Sequence, residues 1–294
     1  MNALRKSEWL LISFFAYVTV LSPFFPNRPN LRYQPTLLLI GVLAVLSLLA
    51  RAEQTEKTHR VRVIGMVRDW LPILLTLVAF REMELFLPSQ FDLRHEVQWV
   101  GQDRLLLEGW GLRTLIESLG KPIPFYLEFS YLLVYGLPFY CVGLLYGQGR
   151  RASVDLFLSI YLIGTLSAYA LFPFFPSRPP RILFPGLDDP HITTWVRQFN
   201  LYILRHATIH VGVFPSAHVS SAFAAAWATF SLFRKRPVFG WTLVVYAISV
   251  SLAAIYGRYH YTADVVGGFG VSLVAAALCI APRHQGRASS LAPP

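Results

Sequence analysis

The stretch VFGWTLVVYAISVSLAAIY, residues 238–256, contains no charged side chain. A helix needs about 20 mostly apolar residues to cross a bilayer, so this run predicts a membrane-spanning helix. Further apolar runs lie on both sides of it, at residues 9–25, 36–50, 70–87, 124–146, 154–175, 216–233 and 262–281. The run 70–87 is the weakest, because Arg81, Glu82 and Glu84 lie in its second half. The sequence therefore predicts an all-α, polytopic bundle of about eight transmembrane helices.

The overall composition agrees with a membrane protein. Of the 294 residues, 54% are hydrophobic and 14% are charged, whereas a soluble domain has about 25% charged residues. These values exclude intrinsic disorder, collagen-like repeats and coiled coils. The net charge of +10 does not indicate nucleic-acid binding, because the basic residues fall mostly between the apolar runs. Membrane topology and contact with anionic lipid headgroups explain this charge better.

Basic residues are unequally divided between the two sides of the predicted bundle. One set of loops and the C-terminal tail hold Arg51, Lys57, Arg60, Arg62, Arg150, Arg151, Arg234, Lys235, Arg236, Arg283 and Arg287. The short loops on the other side carry Arg28, Arg32 and Arg258. Short loops rich in lysine and arginine stay in the cytoplasm, so we expect both chain termini to be cytoplasmic.

Two long segments, 88–122 and 177–213, fall on the extracytoplasmic side in this topology. The first mixes tryptophans and leucines with charges, which indicates one or two amphipathic helices at the membrane interface; a loop packed on the helix ends is the alternative. The sequence thus divides into N-terminal transmembrane helices with an interfacial segment (1–152), a membrane core that holds the polar motifs (153–282), and a cytoplasmic tail (283–294).

Three polar clusters interrupt the apolar chain. The first polar cluster is PSRPPR, residues 176–181; the second is FPSAH, residues 214–218; the third is GRYHYTAD, residues 257–264. Loop charges and span lengths alone place all three at the extracytoplasmic end of the bundle. Two histidines, one aspartate and three arginines at one end of an apolar bundle carry a large desolvation cost, which favours a functional site.

The second and third clusters have the chemistry of an anion site, with phosphate the foremost candidate. His260 and Asp264 are four residues apart and share a face if the last helix begins near His260, so the carboxylate can fix the imidazole tautomer. Ser216 is expected to cap the next helix, whose backbone amides near Ser216 and Ala217 are then free to bind an anion. His218 lies in that first turn, where it can donate or accept a proton.

The arginines provide the positive charge that a phosphate needs. Arg178 and Arg181 lie on a proline-stiffened turn and, with Arg258, offer guanidinium donors for bidentate bonds. Each polar feature also has a plainer explanation. Interfacial arginines anchor to lipid headgroups, a single intramembrane histidine can be a satisfied polar group, and aspartate favours the first turn of a helix. The convergence of all three clusters favours the phosphate site.

The clusters resemble the three signature motifs of the type 2 phosphatidic-acid phosphatase superfamily, whose members are membrane helical bundles with a histidine-based phosphate site. PSAH, residues 215–218, is similar to the second motif, which reads proline-serine-glycine-histidine in most members. Arg258, His260 and Asp264 are similar to the third motif. The resemblance extends over about residues 174–274.

Several departures from the phosphatase pattern point to one branch of this superfamily. Ala217 replaces the usual glycine, and Leu171 stands where the first motif has a lysine. Arg258 is two residues before His260, where the usual spacing is six. Together with the Pro-Pro-Arg of residues 179–181, these features resemble the inositol phosphorylceramide synthase branch, which transfers a phosphorylated headgroup between lipids.

The resemblance implies an integral membrane phosphoesterase or phosphotransferase that works through a phosphohistidine intermediate. It implies that His260 attacks phosphorus and that Asp264 orients His260. It further implies that His218 protonates the leaving oxygen and then activates the incoming water or alcohol.

The implied phosphate-binding residues are Arg178, Arg181 and Arg258, with the amides near Ser216 and Ala217. Because the arginines supply positive charge, the resemblance implies no metal and no other cofactor. The implied partners are a phospholipid or lipid-linked phosphate as substrate, water or a lipid alcohol as acceptor, and the membrane itself. The lipid, its headgroup and the oligomeric state stay open at this point.

Other functions are compatible with parts of the sequence. His206 and His210 are four residues apart and, with His218, fit a metal-dependent membrane hydrolase, although no glutamate accompanies them. A membrane acyltransferase or rhomboid-type serine protease would pair Ser216 with His218, but Ser216 fits a helix cap better. A plain lipid phosphate phosphatase is the alternative to headgroup transfer. A transporter or structural protein with an inactive site is the non-enzymatic alternative.

Overall fold

The computed structural model describes residues 4–25, 29–55, 59–86, 88, 92–209 and 212–280. Over these ranges the chain forms helices and turns without any β-strand, which confirms the all-α prediction. The α-helices are α1 (Lys6–Leu21), α2 (Gln34–Thr55), α3 (His59–Glu82), α4 (Arg94–Arg104), α5 (Leu112–Glu117), α6 (Pro122–Leu133), α7 (Leu137–Gly147), α8 (Val154–Leu171), α9 (Pro180–Leu183), α10 (Trp195–His206), α11 (Ala217–Leu232), α12 (Val238–Tyr256) and α13 (Thr262–Ile280). The predicted tail, 283–294, lies outside the described residues.

Most of the predicted spans reappear as long apolar helices. Among the described residues, six helical segments are long and apolar enough to cross a membrane: Lys6–Phe24, Gln34–Thr55, Arg60–Phe86, Pro122–Gly147, Arg151–Leu171 and Val238–Tyr256. The remaining two predicted spans correspond to α11, which is shorter, and to α13, whose apolar part Thr262–Ala277 is also shorter than these six segments. With 16 residues, α11 is about 24 Å long, a few ångströms less than the hydrocarbon core of a bilayer. These apolar helices make the protein an integral membrane protein.

The predicted span 124–146 is divided into two helices. A short 3-10 turn, Val134–Gly136, separates α6 from α7. Pro138 lies in the first turn of α7 and has no backbone N–H to donate, so the helical hydrogen-bond ladder cannot continue through this point. The break lies beside the cavity described below, which Val134, Tyr135 and Pro138 help to line.

Helix α11 is the central element of the bundle and packs against α8, α12 and α13. Its buried face is built from small side chains, which let neighbouring backbones approach closely. A Cβ atom added to Gly164 of α8 would lie 2.6 Å from the Cβ of Ala224 in α11. The Ser220 hydroxyl of α11 also donates to the Gly164 carbonyl at 2.8 Å. These contacts hold α11 in one position against the neighbouring helix.

A network of ion pairs joins α1 and α3 to the turn that precedes α8. The pairs are Arg68–Glu8 at 2.5 Å, Arg5–Asp69 at 2.6 Å and Arg151–Asp69 at 2.8 Å. Arg68 and Glu8 are buried, so each charge there is compensated by its partner. Near this network, Arg150 donates to the carbonyl of Leu232, at the C-terminal end of α11.

The segment 88–122 contains two helices, α4 and α5, as the amphipathic pattern predicts. Helix α4 exposes Val97 on one side and buries Glu96, Val100 and Asp103 on the other. It packs against α13. The segment is thus both helical and packed on the bundle, while its depth in the bilayer stays a prediction.

Candidate active site

The three polar clusters meet at the N-terminal ends of α11 and α13, and hydrogen bonds join them in pairs. The bonds run from Phe214 N to Ser177 Oγ at 3.2 Å, from Ser216 N to the Asp264 carbonyl at 2.9 Å, and from Arg181 N to the Arg258 carbonyl at 3.2 Å. Each pair of clusters is therefore connected directly. Because these contacts involve the backbone, the relative positions of the clusters are set by the fold.

A close helix contact brings the second and third clusters together. A Cβ atom added to Gly268 of α13 would lie 2.3 Å from the Ser216 carbonyl oxygen, so only glycine fits there. The Ser216 hydroxyl accepts a hydrogen bond from Val219 N at 3.4 Å, which confirms Ser216 as the N-cap of α11. The Ser216 hydroxyl is therefore engaged at the start of the helix.

His218 and His260 face each other across a cavity of about 110 Å³, which Arg181 and Ala217 also line. The centroids of the two imidazole rings are 5.6 Å apart, and the ring planes are inclined by 60°. A single tetrahedral group in this cavity can therefore contact both imidazoles. One cavity is thus lined by two imidazoles, the side chains that most often serve as proton donor or acceptor and that can also act as nucleophiles.

The hydrogen bonds of His260 fix its tautomer. His260 Nδ1 donates to the carbonyl of Val213 at 3.1 Å, and Oδ2 of Asp264 lies 3.4 Å from the same nitrogen. With Nδ1 protonated, Nε2 carries the free lone pair. Helix α13 begins at Thr262 rather than near His260, because the turn before it is held by Asp264 Oδ2, which accepts from Tyr261 N at 2.8 Å.

The surroundings of His260 keep its imidazole neutral. Burial, followed by the positive charge of Arg181, lowers the pKa of His260 from 6.5 to about 3, while the hydrogen bond to Val213 acts in the opposite sense. Burial also lowers the pKa of Arg181 from its usual 12.5. An imidazole that is neutral at pH 7 has the lone pair that a nucleophile requires.

The three arginines predicted to bind phosphate occupy different positions. Arg181 lines the cavity and donates from Nη1 to the Tyr259 carbonyl at 3.3 Å, and within the described chain no carboxylate pairs with it. The side chains of Arg178 and Arg258 do not line the cavity. Arg258 is fully buried and its Nη1 donates to Asp103 Oδ2 at 2.8 Å. Of the three, Arg181 is therefore the one whose guanidinium lies at the cavity.

An aromatic stack supports the histidine of the second cluster. The Tyr131 ring stacks on His218 with centroids 5.1 Å apart and on Tyr259 with centroids 4.2 Å apart. Tyr131 comes from α6, so this helix contributes to the site although it contains none of the three clusters. Nothing in the local sequence around Tyr131 identifies this contact.

Glu128 anchors the third cluster from the same helix. Its carboxylate accepts from Tyr259 OH at 2.5 Å, from Arg197 Nη1 at 3.0 Å and from Asn200 Nδ2 at 2.8 Å. Glu128 is the one charged residue in the apolar run 124–146. An ionisable residue within such a run is a signal of function, although the sequence does not identify its partners.

The histidines of the proposed metal-dependent hydrolase are less fully described. His206 is exposed, and its Nδ1 lies 2.8 Å from the Tyr202 carbonyl. His210 lies outside the described residues, so the pairing of these two histidines stays a prediction. In the part of the chain that the structure describes, no group of three or more His, Cys, Asp or Glu side chains is arranged to hold a metal ion.

Comparison with known proteins gives a consistent picture. The family model described as the PAP2 superfamily matches residues 112–278, more than half of the 294 residues. A PA-phosphatase related-family protein from Dictyostelium discoideum is 31% identical over 62 residues, which are 21% of this chain and 11% of that relative. No solved structure matches the chain significantly. The family match contains all three polar clusters.

Proposed function

Because the chain belongs to the PAP2 superfamily, we propose that it is a histidine-based phosphoesterase or phosphotransferase that needs no metal. Its substrate is a lipid phosphate or a lipid-linked phosphate, and the acceptor is water or a lipid alcohol. The alanine at position 217 and the position of Arg258 favour headgroup transfer, as in the inositol phosphorylceramide synthase branch, over plain hydrolysis.

One observation carries this proposal. The rings of His218 and His260 lie 5.6 Å apart on a cavity that also contains Arg181, a guanidinium without a carboxylate partner in the described chain. A buried cation without a counter-charge is unfavourable until an anion binds. Two imidazoles can serve as nucleophile and proton donor, and a guanidinium can stabilise the charge on the phosphoryl oxygens without a metal.

In the first half-reaction, the Nε2 lone pair of His260 forms a bond to phosphorus. The bond between phosphorus and the ester oxygen breaks, and His218 transfers its proton to that leaving oxygen. The negative charge of the bound phosphate favours the protonated form of His218 before this step. Asp264 holds the turn that carries His260 and lies within 3.4 Å of its Nδ1, where it stabilises the charge that develops on the ring.

In the second half-reaction, neutral His218 accepts a proton from water or from a lipid alcohol. The oxygen of that acceptor forms a new bond to phosphorus as the bond to His260 Nε2 breaks, which regenerates both histidines. Water as acceptor releases the phosphorylated group, whereas a lipid alcohol as acceptor yields a new headgroup lipid. The same two imidazoles therefore serve hydrolysis and transfer.

The phosphate oxygens are stabilised mainly by Arg181 and by the first backbone amides of α11, near Ser216 and Ala217. Arg178, on the same proline-rich turn as Arg181, adds positive charge near the cavity. Arg258 does not contact the phosphate in this proposal, because its side chain is buried away from the cavity in an ion pair with Asp103.

The site faces the extracytoplasmic side in this proposal, and both termini are cytoplasmic. The support is the position of the charges along α11. The helix begins at the site with Ala217 and ends at Leu232, whose carbonyl is bound by Arg150 of the basic loop 150–151. Basic loops stay in the cytoplasm, so the opposite end of α11 faces outward.

The test is incubation of the purified full chain with mixed phospholipids, with and without diacylglycerol or ceramide, followed by mass spectrometry. Released phosphate or phosphorylated headgroup identifies a hydrolase, and a new headgroup lipid identifies a transferase. A chain that leaves every phospholipid unchanged contradicts the proposal. Addition of a chelator is expected to leave the activity unchanged, and loss that zinc restores would support the metal-dependent alternative instead.

A further inference from the structure

Helix α4 lies outside the segment that matches the family, 112–278, yet one of its faces contacts all three polar clusters. The residues on this face are Glu96, Trp99 and Asp103. Their spacing of three and four residues places them in one row along the helix.

The first two residues of this row contact the first and second clusters. Glu96 Oε1 accepts a hydrogen bond from Arg178 N at 3.4 Å. The Trp99 ring stacks on Phe214, with centroids 5.4 Å apart and planes inclined by 22°, and its centroid lies 5.5 Å from that of Tyr261. Helix α4 thus crosses the site from the first cluster to the third.

Asp103 makes the most specific contacts of the row. It is fully buried, and its two oxygens accept from different parts of the third cluster. Oδ2 accepts from Arg258 Nη1 at 2.8 Å, and Oδ1 accepts from Thr262 N at 2.9 Å. Arg258 and Thr262 lie on either side of His260 in sequence, so one carboxylate spans the turn that carries this histidine.

The turn needs such support because its backbone is strained. Arg258 has φ at 61°, in the left-handed region that residues with a Cβ atom avoid. The bond from Thr262 N also fixes the first turn of α13, which carries Asp264. Loss of the Asp103 contacts would therefore let His260 and Asp264 shift together relative to His218.

We propose that Asp103 is a positioning residue, and that α4 is a brace that keeps His260 in line with the phosphorus atom opposite His218. This inference rests on the proposed function. Asp103 does not touch the cavity, so it acts through Arg258 and the backbone of the turn. The brace is a property of this chain outside the family match.

The decisive variant is Asp103→Asn, studied in the full chain purified in detergent. The asparagine side chain has nearly the same volume, but its single amide oxygen can accept from Arg258 Nη1 or from Thr262 N and not from both, and the charge of the ion pair is lost. Hydrolysis of p-nitrophenyl phosphate gives kcat and KM. Inhibition by inorganic phosphate reports binding of a tetrahedral anion, and inhibition by orthovanadate reports binding of a transition-state analogue that needs His260 in line.

We expect Asp103→Asn to lower kcat by about 10- to 100-fold, as a displacement near 1 Å does. The inhibition constant for orthovanadate should rise by a similar factor, while KM and the inhibition constant for phosphate change less than about threefold. Glu108→Gln is the matched control, because Glu108 pairs with Arg113 in the adjoining segment and is exposed. It should behave as the wild type.

Two results would overturn the brace. One is an Asp103→Asn variant with wild-type kcat and wild-type inhibition by orthovanadate. The other is an equal loss of phosphate and orthovanadate binding, which is the sign of a merely structural role. A wild-type chain that leaves every phospholipid unchanged in the lipid assay refutes the proposed function itself, which is a separate outcome.

Discussion

The imidazole rings of His218 and His260 lie 5.6 Å apart, although 42 positions separate the two residues in the sequence. His218 is in the first turn of α11, and His260 is in the turn before α13. The helical hairpin formed by α11 and α12 brings them together at one end of the bundle. In the proposed mechanism the two rings act on one phosphorus atom, and this proximity is the basis of the following predictions.

Replacement of His260 should abolish turnover without loss of the fold. His260→Ala lacks the proposed nucleophile, so activity should fall below about 1% of wild type. Lipid turnover by the purified variant is the measurement, with monodispersity in detergent as the check on folding. His206→Ala, at an exposed histidine, is the control and should keep full activity. Residual activity of several per cent would exclude His260 as the nucleophile.

His218→Ala should separate the two half-reactions. A substrate with a good leaving group needs little protonation, so His260 should still be phosphorylated, whereas the missing base slows attack by water. Acid quenching followed by mass spectrometry of peptides should then detect phosphate on His260. The covalent mechanism is refuted if no histidine carries phosphate in this variant or in the wild type under any condition.

Removal of Arg181 should weaken stabilisation of the transition state. Arg181→Ala is expected to lower kcat/KM by about 10²- to 10³-fold, since one preorganised donor is worth this much in comparable sites. Arg181→Lys should recover part of the loss, because the charge returns but the bidentate geometry does not. Arg104→Ala, at an exposed arginine paired with Asp188, is the control. Equal activity of Arg181→Ala and Arg104→Ala would remove Arg181 from the site.

The pH profile of kcat/KM should fall on its acid side only well below pH 6.5. Burial and Arg181 lower the pKa of His260 from 6.5 to about 3, so the neutral nucleophile persists in the free enzyme as the pH falls below 6.5. The fall of kcat/KM that is due to protonation of His260 should therefore lie well below pH 6.5. A phosphodiester substrate is the correct probe, because a monoester itself titrates near pH 6. A limb at pH 6.5 in the rate at which His218→Ala is phosphorylated, to which His218 cannot contribute, would contradict this prediction.

The lowered pKa of His260 also makes the stability of the folded protein depend on pH. The unfolded chain takes up a proton on His260 near pH 6.5, whereas the folded chain does so only near pH 3. Acidification through this window therefore favours the unfolded state and lowers the free energy of unfolding. Thermal denaturation in detergent between pH 7 and pH 4 should show a falling Tm, and the fall should be smaller in His260→Ala.

Loss of the Glu128 carboxylate should destabilise the third cluster. Glu128→Gln breaks the buried ion pair with Arg197 and leaves only the more distant, exposed carboxylate of Asp189 at 3.8 Å; breaking a buried pair costs about 3–5 kcal/mol. The Tm should fall clearly. Asp92→Asn, which breaks an exposed ion pair with Arg94, should leave the Tm unchanged. If both variants have the same Tm as the wild type, Glu128 does not anchor Tyr259.

Much of this arrangement follows from local sequence. The run 238–256 predicts α12 because a long apolar stretch without charge has a helix across the bilayer as its stable state. Ser216 predicts the start of α11 because a serine at this position satisfies a free backbone N–H. These features depend on residues within one or two helical turns, so the sequence is sufficient to identify them.

Long-range pairing is what the sequence leaves open. Arg178, Arg181 and Arg258 are equivalent as candidates in the sequence, but only packing decides that Arg181 lines the cavity while Arg258 pairs with Asp103, 155 positions away. The partner of His260 Nδ1 is likewise a backbone carbonyl, that of Val213, which carries no side-chain signal. Membrane class, spans and polar clusters are thus determined by local hydrophobicity and capping. Which of the three arginines lines the cavity is decided by the tertiary structure. The reason is that a charged side chain buried by packing must be paired, and its partner can come from a distant part of the sequence.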